Sequence, residues 1–354
     1  MPSASSPYRP LGHSGLKVSP LWLGTMMFAD QTDEAEAGRM LDAAREAGLN
    51  AIDTADAYSK GESERMVGRL IAADRPRWVL ATKVFNPMGD GPNERGSSRR
   101  WLRQAVEHSL RRLATDWIDV YYLHRDDETT PMEETVATMA GLIASGKVLY
   151  FGVSNFRAWR IARMVELCRQ MGVPQPIVCQ PLYNAMTRAA EVELLPCCAH
   201  YGVGVVGYSP LARGVLSGKY RQDAAPEAGS RAARADPRLL QTEFRPESLA
   251  HAQRFAEHAQ SRGVSASQFA TAWVLANRHV NGVIAGPRTL AQWRDYLGAL
   301  AIEISAEDEA FVDGLVRPGH ASTPGYTDPA YPVTGRVSAA APAGCPPTLT
   351  RQRV

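Results

Sequence analysis

Trp78-Val-Leu-Ala-Thr-Lys-Val84 and Ile118-Asp-Val-Tyr-Tyr-Leu-His124 decide the fold, because a stretch of helical spacing at 98–113 separates them. Both runs are short, apolar and rich in β-branched and aromatic residues, so the unit reads as strand, helix, strand. Working outward, the same kind of run recurs at 21–26, 50–53, 149–153, 177–180, 203–208 and 281–284. Helical spacing fills 33–46, 62–71, 132–144 and 158–170. Asp33 with Glu36, and Pro131 with Glu133 and Glu134, supply start signals. Strand then helix, repeated about eight times, predicts an α/β fold, the (β/α)8 TIM barrel, with a doubly wound sheet as the alternative. Pro10-Leu-Gly-His-Ser-Gly-Leu16 ahead of Val18 reads as an N-terminal hairpin capping the barrel bottom.

No Pro/Gly/Ser-rich linker divides residues 21–316, so the expected domains are a barrel over 1–320 and a Pro-rich C-terminal tail over 321–354. Seven of the 24 prolines fall after residue 316, with Asp328 as the lone acid there. Residues 213–247, after the seventh strand, have no clear period, and a loop of that length in a compact domain is usually functional.

The chain has 354 residues, 45% hydrophobic and 21% charged, which excludes global disorder. Its 39 basic and 37 acidic residues leave a net charge of +2, too little basic excess to make nucleic acid the main partner. No apolar run approaches the ~18 residues of a membrane span, and Met-Pro-Ser-Ala-Ser-Ser-Pro7 lacks the order of a signal peptide. The expectation is a cytoplasmic protein with no membrane partner; oligomeric state is not legible. Five dispersed cysteines suit reduced thiols better than disulfides. Cys197-Cys198 with His200 lacks metal-ligand spacing, so no metal is expected.

Two motifs mislead. Gly202-Val-Gly-Val-Val-Gly207 fits a dinucleotide fingerprint in letters, but its glycines fall inside a strand and Pro210 stands where a helix should open. Lys83 and His124-Arg-Asp126 imitate kinase landmarks, yet no Gly-rich loop or Asp-Phe-Gly accompanies them.

In a barrel, strand carboxyl ends converge on one mouth. The second strand ends at Asp53 with Tyr58 in its loop, the third near Lys83, and the fourth at His124. Singly each has a structural explanation, as a cap, a surface aromatic, a solvated strand end or a satisfied histidine. Together they form a working unit. A phenol with an ordinary pKa of about 10 is too weak an acid near neutrality. An adjacent ammonium favours the phenolate and is expected to draw that value down, while Asp53 holds the ammonium charged. His124 would donate to a carbonyl oxygen and aim it. Such a site protonates a developing alkoxide; the matching hydride needs a nicotinamide, since no side chain supplies one.

Gly48-Leu-Asn-Ala-Ile-Asp-Thr-Ala-Asp-Ala-Tyr58, continuing through Gly61, Glu62, Glu64 and Gly68, resembles the first signature of the aldo-keto reductase superfamily. Gly152-Val-Ser-Asn-Phe156, Gln180-Pro-Leu-Tyr-Asn184 and the block from Tyr208 to Tyr220 resemble later ones, and the likeness spans roughly residues 8–316. The resemblance implies reduction of an aldehyde or ketone to an alcohol, with Asp53, Tyr58, Lys83 and His124 as catalytic tetrad and Tyr58 as general acid. It implies that Ser154, Asn155 and Gln180 bind the nicotinamide carboxamide and that Tyr208 stacks on the ring. Ser209, Leu211, Arg213, Gly214, Leu216 and Lys219 would wrap the pyrophosphate, and Asp30 would contact a ribose. Gly286, Arg288 and Gln292 resemble the adenosine-phosphate segment, in which Arg288 meets a 2′-phosphate and Thr289 opens a helix, so NADP(H) is favoured over NAD(H). Two positions depart from the family pattern: Ser59 replaces a usual Gly, and Tyr296 stands where an adenine-contacting Asn is common.

Met27, Phe28 and Phe85, with Met26, are expected to wall an apolar substrate pocket. Two other functions fit parts of the pattern. The family's fold and tetrad also occur in channel-associated, cofactor-sensing regulatory subunits, and a non-redox barrel isomerase or lyase would explain the rim but not the cofactor blocks.

Overall fold

The computed structural model describes residues 8–333; the opening segment 1–7, Cys345 and the rest of the expected tail from 334 lie outside the described residues. A hairpin of β1 (Arg9–Pro10) and β2 (Lys17–Val18) precedes eight strands: β3 (Leu21–Gly24), β4 (Ala51–Asp53), β5 (Val79–Val84), β6 (Ile118–Leu123), β7 (Val148–Ser154), β8 (Val178–Gln180), β9 (Gly204–Tyr208) and β10 (Gly282–Ala285). These eight pair in parallel in chain order, and β10 closes onto β3, so the barrel and its hairpin are present as expected from sequence. The first strand stops at Gly24 rather than at 26. Thr25 N–H still donates to Asp53 O, but Phe28 N–H then turns back onto Thr25 O and Ala29 adopts a left-handed φ of 60°.

Several helices begin at a capping side chain. Asp33 Oδ1 accepts from Glu36 N–H to start Glu34–Glu46, and Ser98 accepts from Trp101 N–H to start Arg99–Leu113. In the first of these, Ala37, Met40, Leu41 and Ala44 turn one stripe onto the barrel, the spacing that buries a helix face. The segment after β9 is less irregular than its sequence suggests. It holds a 3-10 turn at Ala212–Ser217, the short helix Pro237–Thr242 capped by Asp236, and the start of Pro246–Ser261.

Strand alternation divides the core in two. Leu21, Leu23, Ile52, Leu80, Tyr121 and Leu123 belong to the layer between barrel and helices. Trp22, Ala51, Val79, Ala81, Val120 and Tyr122 fill the barrel interior. Asp53 and Lys83 continue those inward rows at their carboxyl ends, so period-two geometry alone sends an acid and an amine to the upper mouth. The hairpin closes the lower mouth: Leu11 is fully buried, His13 N–H donates to Gly202 O, and Asn281 Nδ2 donates to Pro10 O.

Residues 318–333 run back across the barrel instead of leaving it. Ser322 N–H donates to Met186 O, Arg245 donates to Ser322 Oγ and Thr323 Oγ1, Arg238 forms a two-pronged ion pair with Asp328, and Arg157 donates to the carbonyls of Tyr331 and Pro332. Among the described residues no helix is long and apolar enough to cross a membrane.

Helix Glu62–Ile71 approaches helix Arg99–Leu113 through Gly68, where a Cβ would stand 2.4 Å from Leu113 O. Backbone cannot yield as a side chain can, so Gly68→Ala should cost about 1–3 kcal/mol of stability. Urea unfolding should show a lower midpoint at unchanged slope; an unchanged midpoint would mean that this contact does not constrain the helix pair.

Candidate active site

Lys83 has no exposed surface and directs all three ammonium donors upward: to Asp53 Oδ1 at 2.5 Å, to Thr54 O at 2.8 Å and to Tyr58 Oη at 3.1 Å. The second carboxylate oxygen of Asp53 accepts from Gln180 Nε2 at 2.9 Å. Burial works against both charges, lifting the Asp53 carboxyl and by itself lowering the ammonium, but Asp53 and Tyr58 more than reverse this at Lys83, whose pKa ends above its ordinary value. With each carboxylate oxygen accepting a donor and each ammonium proton donated, the arrangement suits the charged pair.

Tyr58 differs from the sequence expectation in one respect. Burial raises its pKa, Lys83 draws it down, and Asp53 pushes it up again, leaving the phenol above its ordinary value rather than below. The hydroxyl is therefore held as a neutral proton donor. Tyr58 keeps its place although the next residue departs from the family pattern. Ser59 and Lys60 take left-handed φ of 48° and 54°, a conformation glycine adopts without strain, and Ser59 Oγ donates to Phe28 O at 2.9 Å in partial compensation.

His124 stands edge-on to Tyr58, ring centroids 6.2 Å apart. Burial, Lys83 and Arg125 hold its pKa well below the ordinary imidazole range, so it is neutral. Asn86 Nδ2 lies 3.2 Å from Nδ1 and can only donate, which assigns the imidazole proton to Nε2. Asn86 did not emerge from the sequence; its only signal there is its position just past the third strand.

A cavity of about 440 Å³ joins these groups to the expected cofactor residues. On its wall lie Asp53, Tyr58, His124, Ser154, Asn155, Gln180, Tyr208, Ser209, Leu211, Arg213, Gly214, Lys219, Gly286, Arg288 and Gln292, together with Met26 and Met27. Ser154, Asn155 and Tyr208 are already linked: Tyr208 Oη donates to Asn155 Oδ1, Asn155 Nδ2 donates to Ser154 Oγ and to His124 O, and Ser154 Oγ donates to Gln180 O.

Some expected residues stand elsewhere. Phe28 and Leu216 have no exposed surface and pack into the outer core, away from the cavity, because turn residues follow no fixed inward period. Phe85 is half-buried and off the cavity wall. Asp30 borders a neighbouring open depression with Ser59 and Lys60. Tyr296, with Ser267 and Asp295, lines the main cavity, as do Arg125, Arg231, Arg238 and Tyr331, which the sequence reading did not single out. Asp56 is a further addition behind the tetrad. Its carboxyl is buried, and burial followed by the nearby Glu64 pushes it up to about 8 against the pull of Arg112 and the Ala57 backbone N–H.

The far end of the cavity has the properties of an anion cradle. Ala212, Arg213 and Gly214 successively adopt positive φ of 46°, 54° and 99°, Arg213 Nε is buried without a partner, and burial, Arg288 and Arg231 all lower the pKa of Lys219. Clustered cations that repel one another and a donor with nothing to donate to suit the phosphates of a dinucleotide. Arg288 is held beside them by Nη1 donation to Gly229 O, and Thr289 caps helix Leu290–Gly298, accepting from Gln292 N–H.

Comparison with known proteins shows the family. The model of the aldo/keto reductase family matches residues 20–317. "Uncharacterized oxidoreductase YrpG" of Bacillus subtilis (strain 168) is 38% identical over 315 residues, 85% of this chain and 93% of that protein. A "Probable voltage-gated potassium channel subunit beta" of Oryza sativa subsp. japonica is 38% identical over 284 residues, 79% of this chain and 86% of its own. The "L-glyceraldehyde 3-phosphate reductase" of Escherichia coli (strain K12) is 33% identical over 326 residues, 88% and 93% of the two chains. Matched from its first barrel strand to its last helix, the chain belongs to the aldo/keto reductase family.

Proposed function

We propose that the protein is an NADPH-dependent carbonyl reductase that also runs in the alcohol-oxidising direction. The observation that carries this reading is a single cavity with a proton-donating phenol, fixed by a buried ammonium, at one end and an unneutralised cation cradle at the other. Bound NADPH supplies the hydride.

The residues would divide the remaining work. Nε2–H of His124 donates to the substrate carbonyl oxygen and orients it, and Tyr58 Oη hands its proton to that oxygen as negative charge develops there. Lys83 stabilises the phenolate left behind, and Asp53 keeps Lys83 charged and aimed. In the alcohol direction the same phenolate takes the proton back. Ser154, Asn155 and Gln180 would hold the nicotinamide carboxamide, Tyr208 its ring, Arg213 and Lys219 the pyrophosphate, and Arg288 the 2′-phosphate. Asp30 would serve a ribose only if its loop turned inward, since it borders the adjoining depression.

The potassium-channel relative supports a second reading, a cofactor-sensing regulatory subunit. Slow turnover, retention of cofactor through purification and a stable protein partner would favour it over a reductase.

Three outcomes follow from the first reading. With 4-nitrobenzaldehyde and NADPH, Tyr58→Phe should lose about 10²–10⁴ in kcat while retaining cofactor; a wild-type rate would remove Tyr58 from the acid role. Because His124 is neutral through the physiological range and Tyr58 stays protonated, kcat/KM for reduction should show no limb near the ordinary imidazole value of about 6.5. Activity falling as pH drops through that value would mean that His124 takes up a proton the structure denies it. Arg288→Ala should weaken NADPH far more than NADH in fluorescence titration, and equal wild-type affinity for the two would contradict the preference for NADPH.

A further inference from the structure

Six cationic side chains line the main cavity: Arg125, Arg213, Lys219, Arg231, Arg238 and Arg288. Arg231 faces Asp236 and Arg238 faces Asp328, so these two are neutralised within the protein. Arg213, Lys219 and Arg288 suit the dinucleotide phosphates. Arg125 is left over, and it stands next to His124, at the end of the cavity where the carbonyl is oriented.

The two aspartates of its own loop are committed elsewhere, and Glu128 is exposed and forms no ion pair with it. Asp126 takes both Nε and Nη2 of Arg160 at 2.7 Å. Asp127 accepts from Ser97 N–H and from the backbone and hydroxyl groups of Thr129 and Thr130. Of the two acids on the cavity wall, Asp53 belongs to Lys83, and Asp295 Oδ1 accepts from Ser265 Oγ. Among the described residues no carboxylate lies within ion-pair distance of Arg125. Its one neighbour of note is the Tyr331 ring, 5.9 Å from the guanidinium carbon, and a ring face attracts a cation without neutralising it. Tyr331 is itself held by Arg157, which donates to its carbonyl, so the returning segment brings this ring to the cavity mouth. A half-buried guanidinium with its fork of donors unspent, facing a substrate-sized space, is suited to an oxyanion.

We propose that Arg125 binds an anionic group on the carbonyl substrate, a carboxylate or a phosphate monoester, and that the protein prefers charged aldehydes or ketones over neutral ones of the same shape. This rests on the reductase reading and narrows its substrate class. The apolar wall formed by Met26 and Met27 would accept the carbon skeleton, and Arg125 the charge.

The test compares kcat/KM within two matched pairs, 4-carboxybenzaldehyde against benzaldehyde and glycolaldehyde phosphate against glycolaldehyde, in wild type, Arg125→Met and Arg125→Lys. The wild type should favour the anionic member of at least one pair, and the favoured pair identifies carboxylate or phosphate as the recognised group. Arg125→Met should reduce that ratio at least 10-fold, chiefly through KM. Arg125→Lys should retain part of it, and added salt should erode the wild-type preference. Benzoate should bind the NADPH-loaded wild type in calorimetry, and Arg125→Met should bind it at least 10-fold more weakly. If the wild type reduces aldehydes without charge preference, or if Arg125→Met changes both members of each pair alike, the proposal is wrong and the reductase reading stands. If no carbonyl compound is reduced at all, both fall.

Discussion

The site depends on a salt bridge placed where water cannot reach it. Lys83 and Asp53 are both fully enclosed, and neither charge would persist there alone. Removing one partner of such a pair typically costs about 3–5 kcal/mol, because the other is left buried and uncompensated. The barrel makes the pair possible by registering β4 beside β5, and Gln180 and Thr54 O complete its hydrogen bonding. The third ammonium donor is then free for one group, Tyr58 Oη, whose position is fixed by the same constraint.

This arrangement changes how the phenol is understood. A lysine beside a tyrosine suggests an acid made stronger, yet burial outweighs that pull and Tyr58 ends as a weaker acid than in water. In the proposed reduction the ammonium's contribution is to stabilise the phenolate that would appear after proton transfer. Together with a neutral His124 whose tautomer is set by Asn86, the mouth carries two neutral donors on one cavity wall, the Tyr58 O–H and the His124 N–H, backed by one buried positive charge. The cradle at residues 209–219 and Tyr331 of the segment that returns over the barrel line the same cavity. Arg238 and Asp328 link the long loop after β9 to the returning segment, so these two walls of the cavity are mechanically joined.

The barrel was legible because the strands are short and apolar and alternate with segments of helical spacing. The grouping of Asp53, Tyr58, Lys83 and His124 was legible because an acid, a phenol, an amine and an imidazole fall at successive strand ends. What escaped has physical causes. Phe28 and Leu216 lie in turns, where spacing does not say which way a side chain points, and both pack into the outer core, Phe28 instead of the substrate wall and Leu216 instead of the pyrophosphate wrap. Asn86, Arg125 and Tyr331 acquire meaning only through neighbours distant in sequence. The direction of the Tyr58 shift needed burial, which a partner residue in the sequence does not reveal. Ser59 is the converse case: the family's usual glycine at that position had no evident reason until the backbone there proved left-handed.

The central claim, that the Lys83 charge acts directly on the Tyr58 hydroxyl, is tested most directly by titrating that phenol. Tyrosines isotope-labelled at Cζ would be followed by NMR in the wild type and in Lys83→Met, with the Tyr58 signal identified by its absence in Tyr58→Phe. The account predicts that loss of the ammonium moves Tyr58 ionisation to higher pH than in the wild type. An unchanged or lower midpoint in folded Lys83→Met would contradict it.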